Sequence, residues 1–152
     1  MKHCALPLRF ARQRGVAAVE FALIAGVFFT LLIGIVEFSR VLFYWNTAAE
    51  VTRLAARTAV VCDSDSAVIK SRMENLLPLL QDSNISVSYL PTGCDIDTAT
   101  ARATCQTVTV SVTNVTIATV IPVMRLRIGM PPFTTTMTRE SMQTSTGGAV
   151  CS

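Results

Sequence analysis

The sequence predicts an α+β protein: a single long N-terminal helix, half transmembrane and half exported, packed on a small head with a second helix and a three- to four-stranded antiparallel sheet. Three observations predict it. Val16 to Val36 is a run of 21 residues whose only charge is Glu20, long enough at about 1.5 Å per residue to cross roughly 30 Å of hydrocarbon. Glu37 to Val61 contains no Pro or Gly and is rich in Ala, so the helix is expected to continue beyond the membrane. Past Cys62 the pattern changes to one short amphipathic helix and several period-two alternations. The resulting partition is 1–15 as a basic cytoplasmic leader, 16–37 as the transmembrane segment, 38–61 as its exported continuation and 62–152 as the head.

Charge supports this orientation. Lys2, Arg9, Arg12 and Arg14 precede the apolar run, and beyond Gly15 nine basic residues face ten acidic ones. A basic surface for nucleic acid is therefore not indicated; the basic cluster acts as an orientation signal that keeps residues 1–14 in the cytoplasm and exports the chain beyond about Phe38. A conventional cleaved signal peptide fits poorly, because the apolar run exceeds the usual length and the nearest small-residue site, Thr47 to Ala49, lies well past its end. Phe43, Tyr44 and Trp45 are loosely placed for an aromatic belt and equally suited to packing on a partner.

In the exported half of the helix, Val41, Trp45, Ala48, Ala55 and Ala59 recur at helical spacing and mark the face expected against the head. Glu37 with Arg40, and Glu50 with Arg53 and Arg57, read as solvated ion pairs worth a few tenths of a kcal/mol each. Gly26 and Gly34 do not have G-x-x-x-G spacing, so a close helix crossing there is weakly supported. Asp63-Ser64-Asp65-Ser66 supplies N-caps for a second helix with its stripe at Ile69, Met73, Leu76, Leu77 and Leu80, ending near Pro78. Asn84–Leu90 and Gln106–Thr113 alternate as half-buried strands, and a phase slip at Asn114 places a bulge or bend there. Phe133–Met142 is a further Thr-rich strand, Met124–Ile128 a short one, and the Gly/Ser/Thr-rich tail from Ser145 to Ala149 is expected to be loose.

Cys4 lies in the leader, whereas Cys62, Cys94, Cys105 and Cys151 are exported and allow two bridges in three connectivities. Cys94 with Cys105, closing a local loop, and Cys62 with Cys151, tying the tail to the end of the long helix, are the favoured pairs; each bridge is worth about 2–4 kcal/mol in an oxidising compartment. A zinc site is the competing use. No C-x-x-C pair exists and the sole histidine is His3, so no metal or other cofactor is expected. No phosphate loop, G-x-S-x-G or H-E-x-x-H is present, so neither catalytic residues nor a small-molecule substrate are expected. Asp95 and Asp97, with Glu74, are read as solvated rather than as an acid/base pair or cation site.

Order along the helix narrows the reading. Arg14-Gly15 is followed by Val16-Ala17-Ala18-Val19 and then Glu20-Phe21. This resembles the processing site of type IV pilin precursors, in which a prepilin peptidase cuts after the glycine on the cytoplasmic side. RGVAAVEFALI, with Glu37-Phe38-Ser39-Arg40 and Ala55-Ala56-Arg57-Thr58-Ala59 downstream, is similar to the TadE-like minor pilins of the tight-adherence (Tad, or Flp-type) pilus system over roughly residues 14–61. The resemblance implies cleavage between Gly15 and Val16, a bacterial inner-membrane location with a periplasmic head, and a non-enzymatic role in pilus assembly, adhesion and biofilm formation. It implies as partners the major Flp-type pilin, a second minor pilin, the prepilin peptidase and the inner-membrane assembly platform. It assigns Glu20, with Phe21 beside it, to assembly: the carboxylate meets the new α-amino group of Val16, its own or a neighbour's, because either charge left unpaired in an apolar bundle costs several kcal/mol. The competing account has Glu20 reach up to interfacial water. Against a bacterial processing signal, the sequons at Asn84-Ile85-Ser86 and Asn114-Val115-Thr116 are chance matches. The alternative for the whole chain is an uncleaved, signal-anchored periplasmic binding protein.

Overall fold

A computed structural model describes residues 14–121 and 125–151. Two compact units divide between Val36 and Glu37. Helix α1, Arg14–Val61, contributes to both.

In the first unit α1 is the described element, and from Val16 to Val36 every side chain is exposed apart from the intermediate Ala25. Its 18-residue window of highest mean hydropathy, 2.5, has no buried residue, so the helix is long and apolar enough to cross a membrane. The Thr30 hydroxyl donates to the Gly26 carbonyl at 2.8 Å, which satisfies it within the helix without water.

The second unit is the α+β head. The outer part of α1 buries Val41, Ala48, Val51, Ala55, Ala56, Ala59 and Val60, a broader face than the sequence stripe, with Trp45 half-buried at its edge. Alanine dominates because small side chains let other elements approach the helix closely. Thr52 is fully buried on this face, its hydroxyl donating to the Ala48 carbonyl at 2.7 Å. Helix α2, Ser66–Leu76, starts where Asp65 accepts from the N–H groups of Ala67 and Val68. It stops two residues before Pro78, and Ile69, Met73, Leu77 and Leu80 are buried while Leu76 is 55% exposed.

Strands β1 (Ile85–Leu90), β2 (Thr107–Val112) and β5 (Phe133–Thr138) form an antiparallel sheet in the order β1-β2-β5. Val110 is opposite Val87 on one side and Thr135 on the other. This register puts Ile85, Tyr89, Val108, Val110 and Val112 in the core with Ala48 and its neighbours. Asn114 adopts a left-handed φ of 58°, so the chain leaves the sheet where the phase slips. Thr116–Ala118 (β3) then pairs with Arg127–Gly129 (β4) as a separate two-stranded ladder. The short strand expected at Met124–Ile128 is thus displaced to Arg127–Gly129 and belongs to that ladder; Met124 lies outside the described residues.

Three local features differ from the sequence expectation. Thr98–Thr104 forms helix α3, capped by Asp97, whose carboxylate accepts from the Thr100 N–H at 2.8 Å. The last strand ends at Thr138 rather than Met142, because Glu140, Met142 and Gln143 donate their N–H groups to the terminal carbonyls of α1 at Val60 and Val61. The tail is built rather than loose: Thr144–Gly147 is a short helix, α4, followed by a 3-10 turn at Gly148–Val150. Cys62 is bonded to Cys151 and Cys94 to Cys105. Gly147 lies against the first bridge, where a Cβ would stand 2.0 Å from the Cys151 sulfur, so no larger residue fits.

Candidate functional site

The helical backbone of α1 already runs through Gly15, Val16, Glu20 and Phe21. Among the described residues a Cβ added at Gly15 would meet nothing within 4 Å, so no contact among them requires glycine there. Val16 and Phe21 are 65% and 73% exposed. Val16 and Glu20 are four residues apart on a continuous helix and therefore share a face one turn apart. Glu20 is exposed and makes no hydrogen bond or ion pair among the described residues. From Val16 to Val36 it is the only ionisable side chain, and unlike the Thr30 hydroxyl it is not satisfied within its own helix.

Glu37 and Arg40, one turn apart at the start of the head, do more than neutralise each other. The Arg40 guanidinium donates to Glu37 Oε2 at 3.0 Å, and the two side chains are 27% and 12% exposed. Glu37 Oε1 accepts the Val120 N–H at 2.6 Å, and Arg40 also donates to the Ala118 carbonyl. The pair therefore clasps the backbone at the end of β3 to α1, with Arg40 also lying 5.7 Å above the Tyr44 ring. This corrects the reading of a solvated pair; the signal was missed because both new partners are backbone groups about 80 positions away. Glu50 and Arg53, in contrast, are 4.0 Å apart and well exposed, as a solvated pair should be.

At the other end of the head-forming part of α1, Arg102 joins three segments. It donates to Asp63 Oδ1 at 2.6 Å and to the Met142 carbonyl at 2.9 Å, linking α3, the chain just after α1 and the tail. The Arg102 hydrogen bond, helped by the Thr144 hydroxyl, holds the Asp63 carboxyl below the usual carboxylate range. Asp97 is lowered too, by the N–H and hydroxyl of Thr100, which explains it as a helix cap rather than a catalytic acid. Burial pushes the Tyr89 phenol up to about 12, and its hydroxyl has no hydrogen-bond partner among the described residues. Among the described residues no three His, Cys, Asp or Glu side chains gather as a metal site.

Residues 15–57 match the family model described as TadE-like protein. Over that stretch the chain is similar to TadE-like proteins. The TadE-like segment holds Gly15, Glu20, the Glu37–Arg40 clasp and all of the α1 core face up to Ala56. The match is consistent with a protein of the Tad pilus system, a structural rather than enzymatic class, and with membrane anchoring through the apolar half of α1. No curated protein and no solved structure matches the chain.

Proposed function

We propose that the chain is a minor pilin or pseudopilin of a Tad (Flp-type) pilus, made as a precursor, trimmed by a prepilin peptidase between Gly15 and Val16, and then incorporated through its apolar helix. In this reading residues 1–15 are the cytoplasmic leader, 16–37 the transmembrane segment, 38–61 its exported continuation and 62–152 the periplasmic head. Its partners are the major pilin, a second minor pilin and the inner-membrane assembly platform, and the outcome is adhesion and biofilm formation.

The observation that carries this reading is the carboxylate of Glu20, which has no partner among the described residues, in the exposed apolar part of α1 inside a segment that matches the TadE-like family. An ionisable group at membrane depth is costly and acquires partners when it functions. Trimming after Gly15 generates a cation one helical turn away, on the Val16 nitrogen. Pairing with that amine, in the same subunit or a neighbour, neutralises both charges and fixes the axial register of packed helices. Gly15 supports the reading from the opposite direction, since no contact among the described residues uses its lack of a side chain.

Intact mass of protein purified from membranes tests this. The expected species lacks residues 1–15; Gly15→Val retains them, whereas Glu20→Gln is trimmed normally and fails to enter the fibre. A wild-type mass that includes residues 1–15 favours an uncleaved signal anchor, and normal piliation by Glu20→Gln removes the electrostatic partnership.

A further inference from the structure

The head has an open apolar groove and, on a different loop, an apolar knob. The groove, about 620 Å³, lies between α1 and α2. Buried Val51, Ile69 and Met73 form its floor, while Leu54 and Leu76 stand in its walls with 45% and 55% of their surfaces exposed. Arg57 also lines it, is exposed, and makes no hydrogen bond or ion pair among the described residues. An apolar recess edged by an uncommitted cation selects an apolar group flanked by an acid.

That combination occurs in this chain. Between β1 and α3, Ile96 is 81% exposed and sits between Asp95 and Asp97. The loop is held on both sides: Cys94, buried, is bonded to Cys105, and Asp97 caps α3 through Thr100. Ile96 is thus presented on fixed backbone, which lowers the ordering cost of inserting it into a partner. Asp97 is committed to its cap, but Asp95 makes no hydrogen bond or ion pair among the described residues.

We infer that Ile96 of one copy seats in the α1–α2 groove of a second copy, with Asp95 paired to Arg57. The loop and the groove are built from different residues, so the contact is heterologous. After two copies join, one groove and one knob remain free, and further heads add in line unless the rotation closes a ring. The inference goes beyond trimming and incorporation and does not depend on either.

The test uses the full-length protein in detergent, with both disulfides verified by mass, and reads self-association by sedimentation. Ile96→Asp and Leu76→Glu, both at exposed positions, each weaken self-association roughly tenfold or more, as loss of a central anchor does. Mixed together, the two variants form a pair and stop there, because one retains the groove and the other the knob. Asp95→Arg and Arg57→Asp each weaken the contact, and the two combined in one chain restore it. A monomeric wild type, single variants that associate like wild type, or a mixture that does not pair overturns the inference. Trimming after Gly15, followed in the same samples, is unchanged throughout.

Discussion

The two parts of α1 use their apolar residues oppositely. Between Val16 and Val36 the large side chains, including Phe21, Phe28, Phe29 and Leu31, are exposed. Between Val41 and Val60 the buried positions are mainly alanine and valine, with Ala48, Ala56 and Ala59 at 0% exposure. Water would not tolerate the first arrangement over five turns of helix, whereas hydrocarbon or neighbouring helices would. The second arrangement is that of a core, where small side chains allow close approach. Side-chain size, and not only hydrophobicity, distinguishes a surface made for surrounding apolar matter from one made for a single fixed partner.

The largest test of this contrast lies at the end of the buried part. Replacing Cys62 and Cys151 by serine should cost the head about 2–4 kcal/mol, read as a lower denaturation midpoint from Trp45 fluorescence, with no loss of membrane association. A matched pair of substitutions comes next. Ala56→Leu should destabilise the head by about 1–3 kcal/mol through overpacking, whereas Ala22→Leu, on the exposed part, should leave the same midpoint unchanged. Equal effects at both positions would break the distinction. The smallest effect is expected at the boundary: Glu37→Gln should cost about 1–2 kcal/mol, because the charge-assisted bonds to Arg40 and Val120 weaken. Amide exchange at Val120 should rise in parallel.

Elements with a strong side-chain period were readable from sequence. The alternation at Ile85, Val87 and Tyr89 and at Val108, Val110 and Val112 gave two of the three strands of the main sheet, and the slip at Asn114 gave the place where the chain departs from it. The cluster Asp63-Ser64-Asp65-Ser66 marked the start of α2 because capping is a local interaction, and the structure selects Asp65 from it as the cap. Helix α3 was missed for lack of any apolar stripe in TATARAT; its only advance signal was Asp97 three residues before Thr100. The clasp at Glu37 and Arg40 and the folded tail were not readable, since their partners are carbonyl and N–H groups brought near by tertiary structure. At the proposed processing and assembly site, sequence supplied the order of Gly15, Val16, Glu20 and Phe21, and the structure adds their exposure and the absence of a partner for Glu20 among the described residues.

The bond from Cys62 to Cys151 joins positions 89 apart, directly after the last turn of α1. A tension applied between that helix and Cys151 would travel through two sulfur atoms and leave the β1-β2-β5 ladder unloaded. Anything tethered at this point of the tail would hang from the helix by covalent bonds alone, so the sheet need not resist the pull.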